Sequence, residues 1–144
     1  MKHCTFILIL FFSISIPVIS TAQKNDLQQV KNVLTMQSDS WNEGNIDAFM
    51  QGYWNNDSLT FISKGGITYG WKQTLENYKK SYPDTASMGK LNFTLIQLKK
   101  LSEHYYFVTG KWHLSRTIGD IGGHFTLLFK KINKKWVIIT DHTS

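Results

Sequence analysis

Hydrophobic residues in the first half of the chain recur at the spacing of one helical face. Over Asp26–Glu43 they lie three, four and seven positions apart, and Gly44 and Asn45 follow as a stop signal and a cap. The same spacing returns over Ile46–Tyr53 and over Trp71–Tyr82. The pattern therefore predicts three helices, of which the second is short.

The second half of the chain changes to the pattern of strands. A pair of short strands, Leu59–Ser63 and Ile67–Tyr69, is predicted around a glycine turn before the third helix. Beyond Pro83, β-branched and aromatic residues fill four long stretches that short turn signals separate: Leu91–Ser102, Tyr105–Thr117, Gly123–Ile132 and Lys135–Thr143. Helices segregated from an antiparallel sheet define the α+β class. We expect a cone-shaped, curved antiparallel sheet of about six strands wrapped around three helices of the N-terminal half.

Composition supports a single folded unit. The chain has 144 residues, of which 42% are hydrophobic, 14% aromatic and only two are prolines. This balance excludes a disordered chain, a coiled coil, a disulfide-rich miniprotein and a multi-domain enzyme.

The N-terminus has the layout of a secretory signal peptide. Lys2 precedes the apolar run Phe6–Ile19, and the small residues Ser20-Thr21-Ala22 follow it. The run is shorter than the roughly 20 residues that a membrane-spanning helix needs. We therefore expect residues 1–22 to be a signal peptide and residues 23–144 to be one domain, exported to the periplasm or secreted and not attached to the membrane after cleavage.

Residue usage narrows the chemistry. Cys4 is the only cysteine and lies in the predicted signal peptide, so the exported part has no disulfide, thiol nucleophile or thiolate metal site. The histidines lack a metal-ligand spacing and no glycine-rich phosphate loop is present, so we predict no metal and no cofactor. The lysines form dispersed pairs and Arg116 is the only arginine, which disfavours nucleic acid as a partner.

The order of elements resembles that of the nuclear transport factor 2-like superfamily, which includes SnoaL-like polyketide cyclases and ketosteroid isomerases. Within that superfamily, the chain most resembles exported bacterial members of the SnoaL-like group. It is carried by five stretches: Trp41–Phe49, Tyr53–Phe61, Gly70-Trp71, Gly123–Leu127 and Trp136–His142. It implies a cone-shaped α+β barrel with a pocket, usually as a homodimer. This fold carries enzymes, binding modules and assembly domains alike, so the resemblance indicates no single function.

One departure from that pattern concerns catalysis. The ketosteroid isomerases that this chain resembles have a catalytic carboxylate just after the segment matching Asp57–Phe61. Ile62 and Ser63 stand at that place here, and neither takes a proton from carbon. The resemblance therefore does not imply steroid isomerisation.

Candidate ligand-binding residues are those expected where helices meet the sheet. They are Trp54, Phe61, Tyr69, Trp71, Trp112 and Arg116. Pockets for small molecules are mostly apolar with a few polar groups, although each of these rings would serve equally well as core filling. Arg116 suits an anionic group or an exposed strand end.

Candidate acid–base residues are His124, His142 and Asp141. Histidine titrates near neutral pH without much adjustment, so either one is a possible proton shuttle, with Asp141 or Arg116 orienting it. Successive strand residues point to opposite faces, so Asp141 and His142 are predicted to face opposite ways.

The length of one turn decides how these residues are paired. If Asn133-Lys134 is a two-residue hairpin turn, Thr126 lies opposite Asp141 and Phe125 opposite His142. Thr126 is then a hydrogen-bond partner for Asp141, which gives the aspartate a structural role. A loop one residue longer would place both candidate histidines on one face.

Three functions follow from these observations. The first is an exported domain that binds a small apolar or aromatic molecule in its cone. The second is a lyase, isomerase or cyclase that uses a strand histidine as acid or base. The third is a dimerisation module without catalysis, whose cone is filled by its own side chains.

Overall fold

The computed structural model describes residues 21–144, with side chains from Asn25 onward. The predicted signal peptide lies outside the described residues apart from Thr21 and Ala22, with which the first helix begins. The helices are α1 (Thr21–Asn42), α2 (Ile46–Phe49), α3 (Trp71–Ser81) and α4 (Thr85–Met88). The strands are β1 (Thr60–Ser63), β2 (Gly66–Tyr69), β3 (Lys90–Ser102), β4 (Tyr105–Ser115), β5 (Ile121–Ile132) and β6 (Lys135–Thr143). From residue 21 to the last residue, the chain contains no helix both long and apolar enough to span a membrane.

The predicted α+β class and its elements are confirmed, with one helix added. Gly44 adopts a φ of 78° after α1, and the Asn45 side chain accepts a hydrogen bond from the Ala48 N–H at the start of α2. The added helix, α4, is a single turn that begins with a capping box between Asp84 and Ser87. Its sequence is too short to show a helical period, which is why the pattern did not predict it.

The sheet is mixed rather than purely antiparallel. Its six strands run in the order β2-β1-β6-β5-β4-β3, and β1 pairs with β6 in parallel. The two edges, β2 and β3, remain apart, so the sheet of the described residues does not close into the barrel that the family resemblance implied. Helix α1 contacts both β3 and β6, which lie three positions apart in the sheet. The sheet therefore curves around the helices, and we call the face toward them the inner face.

A bulge in β6 changes the predicted face of its last residues. The turn Asn133-Lys134 has two residues, both with positive φ, which is the first of the two alternatives that the sequence left open. The register then shifts, because Leu128 pairs with Thr140 and Phe129 with Ile138, which leaves Ile139 unopposed. One extra residue reverses the alternation beyond that point.

The bulge makes three sequence expectations wrong. Strict alternation along β6 predicts that Asp141 shares a face with Val137 and Ile139, but it shares the buried inner face with Trp136 and Ile138. Asp141 lies opposite Leu127, and His142 lies opposite Thr126. Phe125 pairs with Thr143 instead of His142.

A buried carboxylate fixes the start of α1 against the sheet. Asp26 accepts hydrogen bonds from the Lys131 Nζ at 2.7 Å and from the Trp136 Nε1 at 3.2 Å. Burial raises the pKa of Asp26, but the two hydrogen bonds and the lysine charges outweigh it and hold the pKa below its usual value. This contact orients α1 along the inner face of the sheet.

Candidate functional site

A cavity of about 910 Å³ lies between the inner face of the sheet and helices α1 and α3. Its size falls within the roughly 300–1,000 Å³ of small-molecule sites. Every strand of the sheet contributes to its wall, so side chains leave unfilled a space between sheet and helices that is open to solvent on one side.

Aromatic rings form two sides of this cavity. On the helical side, the Tyr78 ring packs edge-on against Phe49 at 5.2 Å and Phe61 at 5.6 Å between centroids. On the sheet side, Phe93 and Phe125 meet edge to face at 5.4 Å. Edge-to-face pairs of this kind are a favoured packing of aromatic rings and stabilise the apolar wall.

Asp141 is the acidic residue of the cavity wall. Its side chain is 5% exposed, and its Oδ2 accepts a hydrogen bond of 2.7 Å from the hydroxyl of Tyr53. Its Oδ1 is buried and has no partner in the described part of the protein. Burial raises the pKa of Asp141 to about 7, and the bond from Tyr53 only partly offsets this effect. The carboxyl group is therefore half protonated near neutral pH.

Two tyrosine hydroxyls continue the hydrogen-bonded chain that begins at Asp141. The hydroxyls of Tyr53 and Tyr78 are 3.4 Å apart. Because Tyr53 gives its only proton to Asp141, Tyr78 is the donor in the second contact. Burial, followed by the charge of Asp141, raises the pKa of both tyrosines well above the usual value. Both hydroxyls therefore stay protonated, and each has one proton to donate.

Trp112 adds a second polar atom that lacks a partner. Its Nε1 is buried and makes no hydrogen bond in the described residues. Within residues 25–144, this nitrogen and the Oδ1 of Asp141 are the only buried side-chain polar atoms left unpaired. Both residues line the same cavity. Buried polar groups are nearly always hydrogen-bonded, so these two atoms are exceptions to a general rule.

The structure brings three of the predicted site residues together. Phe61 on β1, Trp112 on β4 and Asp141 on β6 all line the cavity. Phe61 and Asp141 are paired residues on neighbouring strands. One predicted acid–base residue and two predicted ligand-binding rings therefore share one site.

The other predicted ligand-binding residues lie outside the cavity wall. Trp71 donates its indole N–H to the carbonyl of Met50 at 2.9 Å, and Trp54 is half-buried next to β6. Tyr69 is 65% exposed on the edge strand β2. Arg116 follows β4 and donates through Nε to the carbonyl of Gly119 in the next turn. We assign none of the four to the cavity.

Both predicted histidines lie on the outer face of the sheet. His142 pairs with Thr126, and His124 lies two residues from Thr126 along β5, so the two share a face. The bulge at Ile139, and not a longer turn, produces this arrangement. Both side chains are exposed, and neither lines the cavity. In the described part of the chain, no three His, Cys, Asp or Glu side chains are grouped in a way that would hold a metal ion.

Sequence reasoning missed Tyr53 and Tyr78 as polar members of the site. Both fit the apolar face of a helical pattern, which reads as core. The signal that would have found them is chemical, because a buried tyrosine usually needs a hydrogen-bond partner for its hydroxyl. In this chain the acidic partner comes from the last strand, 88 residues after Tyr53.

Comparisons with known proteins agree with this architecture. No protein-family model matches the chain, and no curated protein matches it. Among solved structures, an NTF2-like protein of unknown function from Shewanella oneidensis MR-1 is 44% identical, with a TM-score of 0.80, covering 83% of this chain and 98% of its own. An NTF2-like superfamily protein from Salmonella enterica serovar Typhimurium is 18% identical, with a TM-score of 0.68, covering 85% and 92% of the two chains. LinA is 12% identical, with a TM-score of 0.72, covering 85% and 87%.

A curved sheet around three helices with an interior cavity defines the class of cone-shaped α+β proteins. The identity and coverage of the Shewanella match show that this chain belongs to the NTF2-like family. The family resemblance predicted from the sequence is thus confirmed at the level of the superfamily. The SnoaL-like subgroup, the export and the homodimer stay predictions of the sequence.

Proposed function

We propose that this protein binds a small, largely apolar molecule inside its cone, with Asp141 and Trp112 as the polar contacts. One observation carries the proposal: the two buried polar atoms left unpaired within residues 25–144 belong to residues that both line the cavity. A core that served only packing would have paired or excluded these atoms, since a buried polar group without a partner costs about 1–3 kcal/mol.

The chemistry of the two atoms defines what the ligand offers. The indole N–H of Trp112 is a donor only, so it needs an acceptor such as a carbonyl or hydroxyl oxygen. The free Oδ1 of Asp141 accepts a hydrogen bond when ionised, and a carboxyl protonated there donates one. The body of the ligand lies against the rings of Phe61 and Tyr78.

Binding of N-phenyl-1-naphthylamine, a neutral apolar dye that fluoresces in apolar surroundings, tests the proposal. We expect saturable binding with a dissociation constant on the order of 1–100 µM, given the size of the dye. Ser63 lines the cavity beside Phe61, so Ser63→Trp places an indole in the space that the dye needs. We expect this substitution to weaken binding by about tenfold or more.

Ile62→Trp is the matched control for this experiment. Ile62 is adjacent on β1 but pairs with His142 on the outer face. The same indole there should leave the affinity unchanged within about twofold. No saturable binding by the unaltered protein, or equal effects of the two substitutions, would contradict binding inside the cone.

A second candidate function is acid–base catalysis by Asp141. The observation that favours it is a buried carboxyl whose pKa is raised to about 7, with one oxygen unpaired, on a residue that lines the cavity. A general acid or base works best when its pKa is near the working pH. Tyr53 would hold the carboxyl in place through its hydrogen bond, and Tyr78 would in turn hold the hydroxyl of Tyr53.

Ring opening of 5-nitrobenzisoxazole reports this activity, because a base removes the carbon-bound proton as the N–O bond breaks. We expect a rate that rises with pH through about 7 and falls by about 100-fold in Asp141→Asn. The double variant His124→Ala/His142→Ala should keep the rate, since both histidines lie on the outer face. A rate lost in the histidine variant and kept in Asp141→Asn would support the histidine shuttle instead.

A further inference from the structure

Two lysines border the cavity where it opens to solvent. Lys64 lies in the turn between β1 and β2, and Lys80 in the last turn of α3. Asn77 on α3 donates a hydrogen bond of 3.1 Å to the hydroxyl of Thr68 on β2, which holds the helix against the hairpin. The two lysines therefore belong to one opening, which we call the mouth.

The charges of the cavity wall are arranged by depth. Among the described residues, Lys64, Lys80 and Asp141 are the only wall residues with charged side chains. Both lysines are exposed, whereas Asp141 is buried. The positive charge is therefore at the mouth and the acid is deep in the cavity.

Neither of the mouth lysines is neutralised by a neighbouring side chain. The adjacent Lys79 pairs with Asp47 at 2.9 Å. Lys64 and Lys80 take part in none of the ion pairs found within residues 25–144. The chain as a whole carries a net charge of +6, which adds to the local potential. A cleft with charges of one sign and low-dielectric walls concentrates the opposite charge at its entrance.

We propose that the ligand of this cavity is an apolar organic anion, whose negative group lies at the mouth between Lys64 and Lys80. This inference rests on the proposed function, and it adds the class of the ligand. The apolar body lies along the Phe61 and Tyr78 rings, with a carboxylate or a similar group reaching the lysines. The raised pKa of Asp141 supports this arrangement, because a half-protonated acid repels such a ligand less.

A matched pair of dyes tests the inference. N-phenyl-1-naphthylamine and 8-anilinonaphthalene-1-sulfonate share one aromatic skeleton, and only the second carries a negative sulfonate. We expect the anionic dye to bind about 3–10-fold more tightly at low salt, and the preference to shrink at about 0.5 M salt. Each dye should displace the other, since both occupy the same cavity.

The double variant Lys64→Gln/Lys80→Gln should remove the preference, because its affinity for the anionic dye is expected to fall about 3–10-fold. Its affinity for the neutral dye should change by less than about twofold. The matched control is Lys99→Gln/Lys111→Gln, which removes the same charge from exposed positions on β3 and β4. Neither control lysine lines the cavity. The control should keep the preference.

Three results would overturn the inference: equal affinity for the two dyes, a preference that both double variants lose equally, or an anionic dye that fails to displace the neutral one. In each of these cases the neutral dye still binds, so the proposed function stands and only the ligand class is wrong. Absence of neutral-dye binding contradicts the proposed function itself, and the inference with it.

Discussion

Asp141→Asn is expected to raise the free energy of unfolding by about 2–4 kcal/mol at pH 8 and to change it little at pH 4. The reason is the environment of the carboxyl group, which is 5% exposed and receives one hydrogen bond. Burial raises its pKa from 3.8 to about 7 in the folded protein. Above pH 7 the folded state must hold a buried negative charge that the unfolded chain exposes to water. Asparagine keeps an acceptor for Tyr53 and carries no charge.

The raised pKa of Asp141 makes the protein less stable as the pH rises. Between about pH 4 and 7 the folded protein keeps the proton of Asp141 and the unfolded chain loses it, so stability falls by about 1.4 kcal/mol per pH unit. Below that range both states are protonated, and above it both are ionised, so the slope due to this group vanishes. Urea unfolding of the two proteins at pH 4, 6 and 8 measures the difference directly.

Asp26→Asn is a control substitution that is expected to have the opposite effect on stability. The pKa of Asp26 is lowered in the folded state, so its contribution is present above its unfolded pKa and is lost as the pH falls through the lower folded value. This substitution should destabilise the protein at pH 7 and have a smaller effect in acid. If Asp141→Asn instead destabilises the protein at pH 8, burial of the ionised Asp141 side chain does not lower stability, and the raised pKa assigned to it is wrong.

Gly110→Ala should lower the free energy of unfolding by about 2–3 kcal/mol. Gly110 lies opposite Phe125 on the inner face. A Cβ at this glycine would lie 2.4 Å from the Phe125 Cζ and 2.8 Å from the backbone oxygen of Thr94. The ring can move only toward the cavity, and the backbone oxygen is held in the sheet. We therefore expect lower stability together with weaker dye binding.

Gly65→Ala is the control for this substitution. A methyl group there would meet only the Ser63 hydroxyl at 3.7 Å, which is ordinary contact, and Gly65 has no positive φ. Guanidinium unfolding should show a change of less than about 1 kcal/mol. Equal stability of the two alanine variants would contradict the close packing of Phe125 over Gly110.

The fold could be predicted from the sequence because its local signals agree with each other. The apolar spacing of α1 and α3 and the β-branched stretches of the four long strands each favour one structure, and Asn133-Lys134 forms a turn where a turn signal was found. The parallel pairing of β1 with β6 was not predictable in this way. It joins residues 80 positions apart, such as Thr60 and Thr140, and short-range patterns contain no information about such contacts.

The site was predictable only in part, for a physical reason that lies in β6. Val137, Ile138 and Ile139 are all apolar, so the sequence shows no alternation from which to place a bulge. The bulge nevertheless decides which face Asp141 occupies, and with it the partners of that residue. Phe61 and Trp112 both line the cavity, but whether either of them binds a ligand stays a prediction.

A crystal structure of the protein with N-phenyl-1-naphthylamine bound tests the central claim most directly. We expect the dye inside the cone, in contact with the rings of Phe61 and Tyr78. The contrary result is a cone closed by its own side chains, with the dye absent or held on the outer face of the sheet.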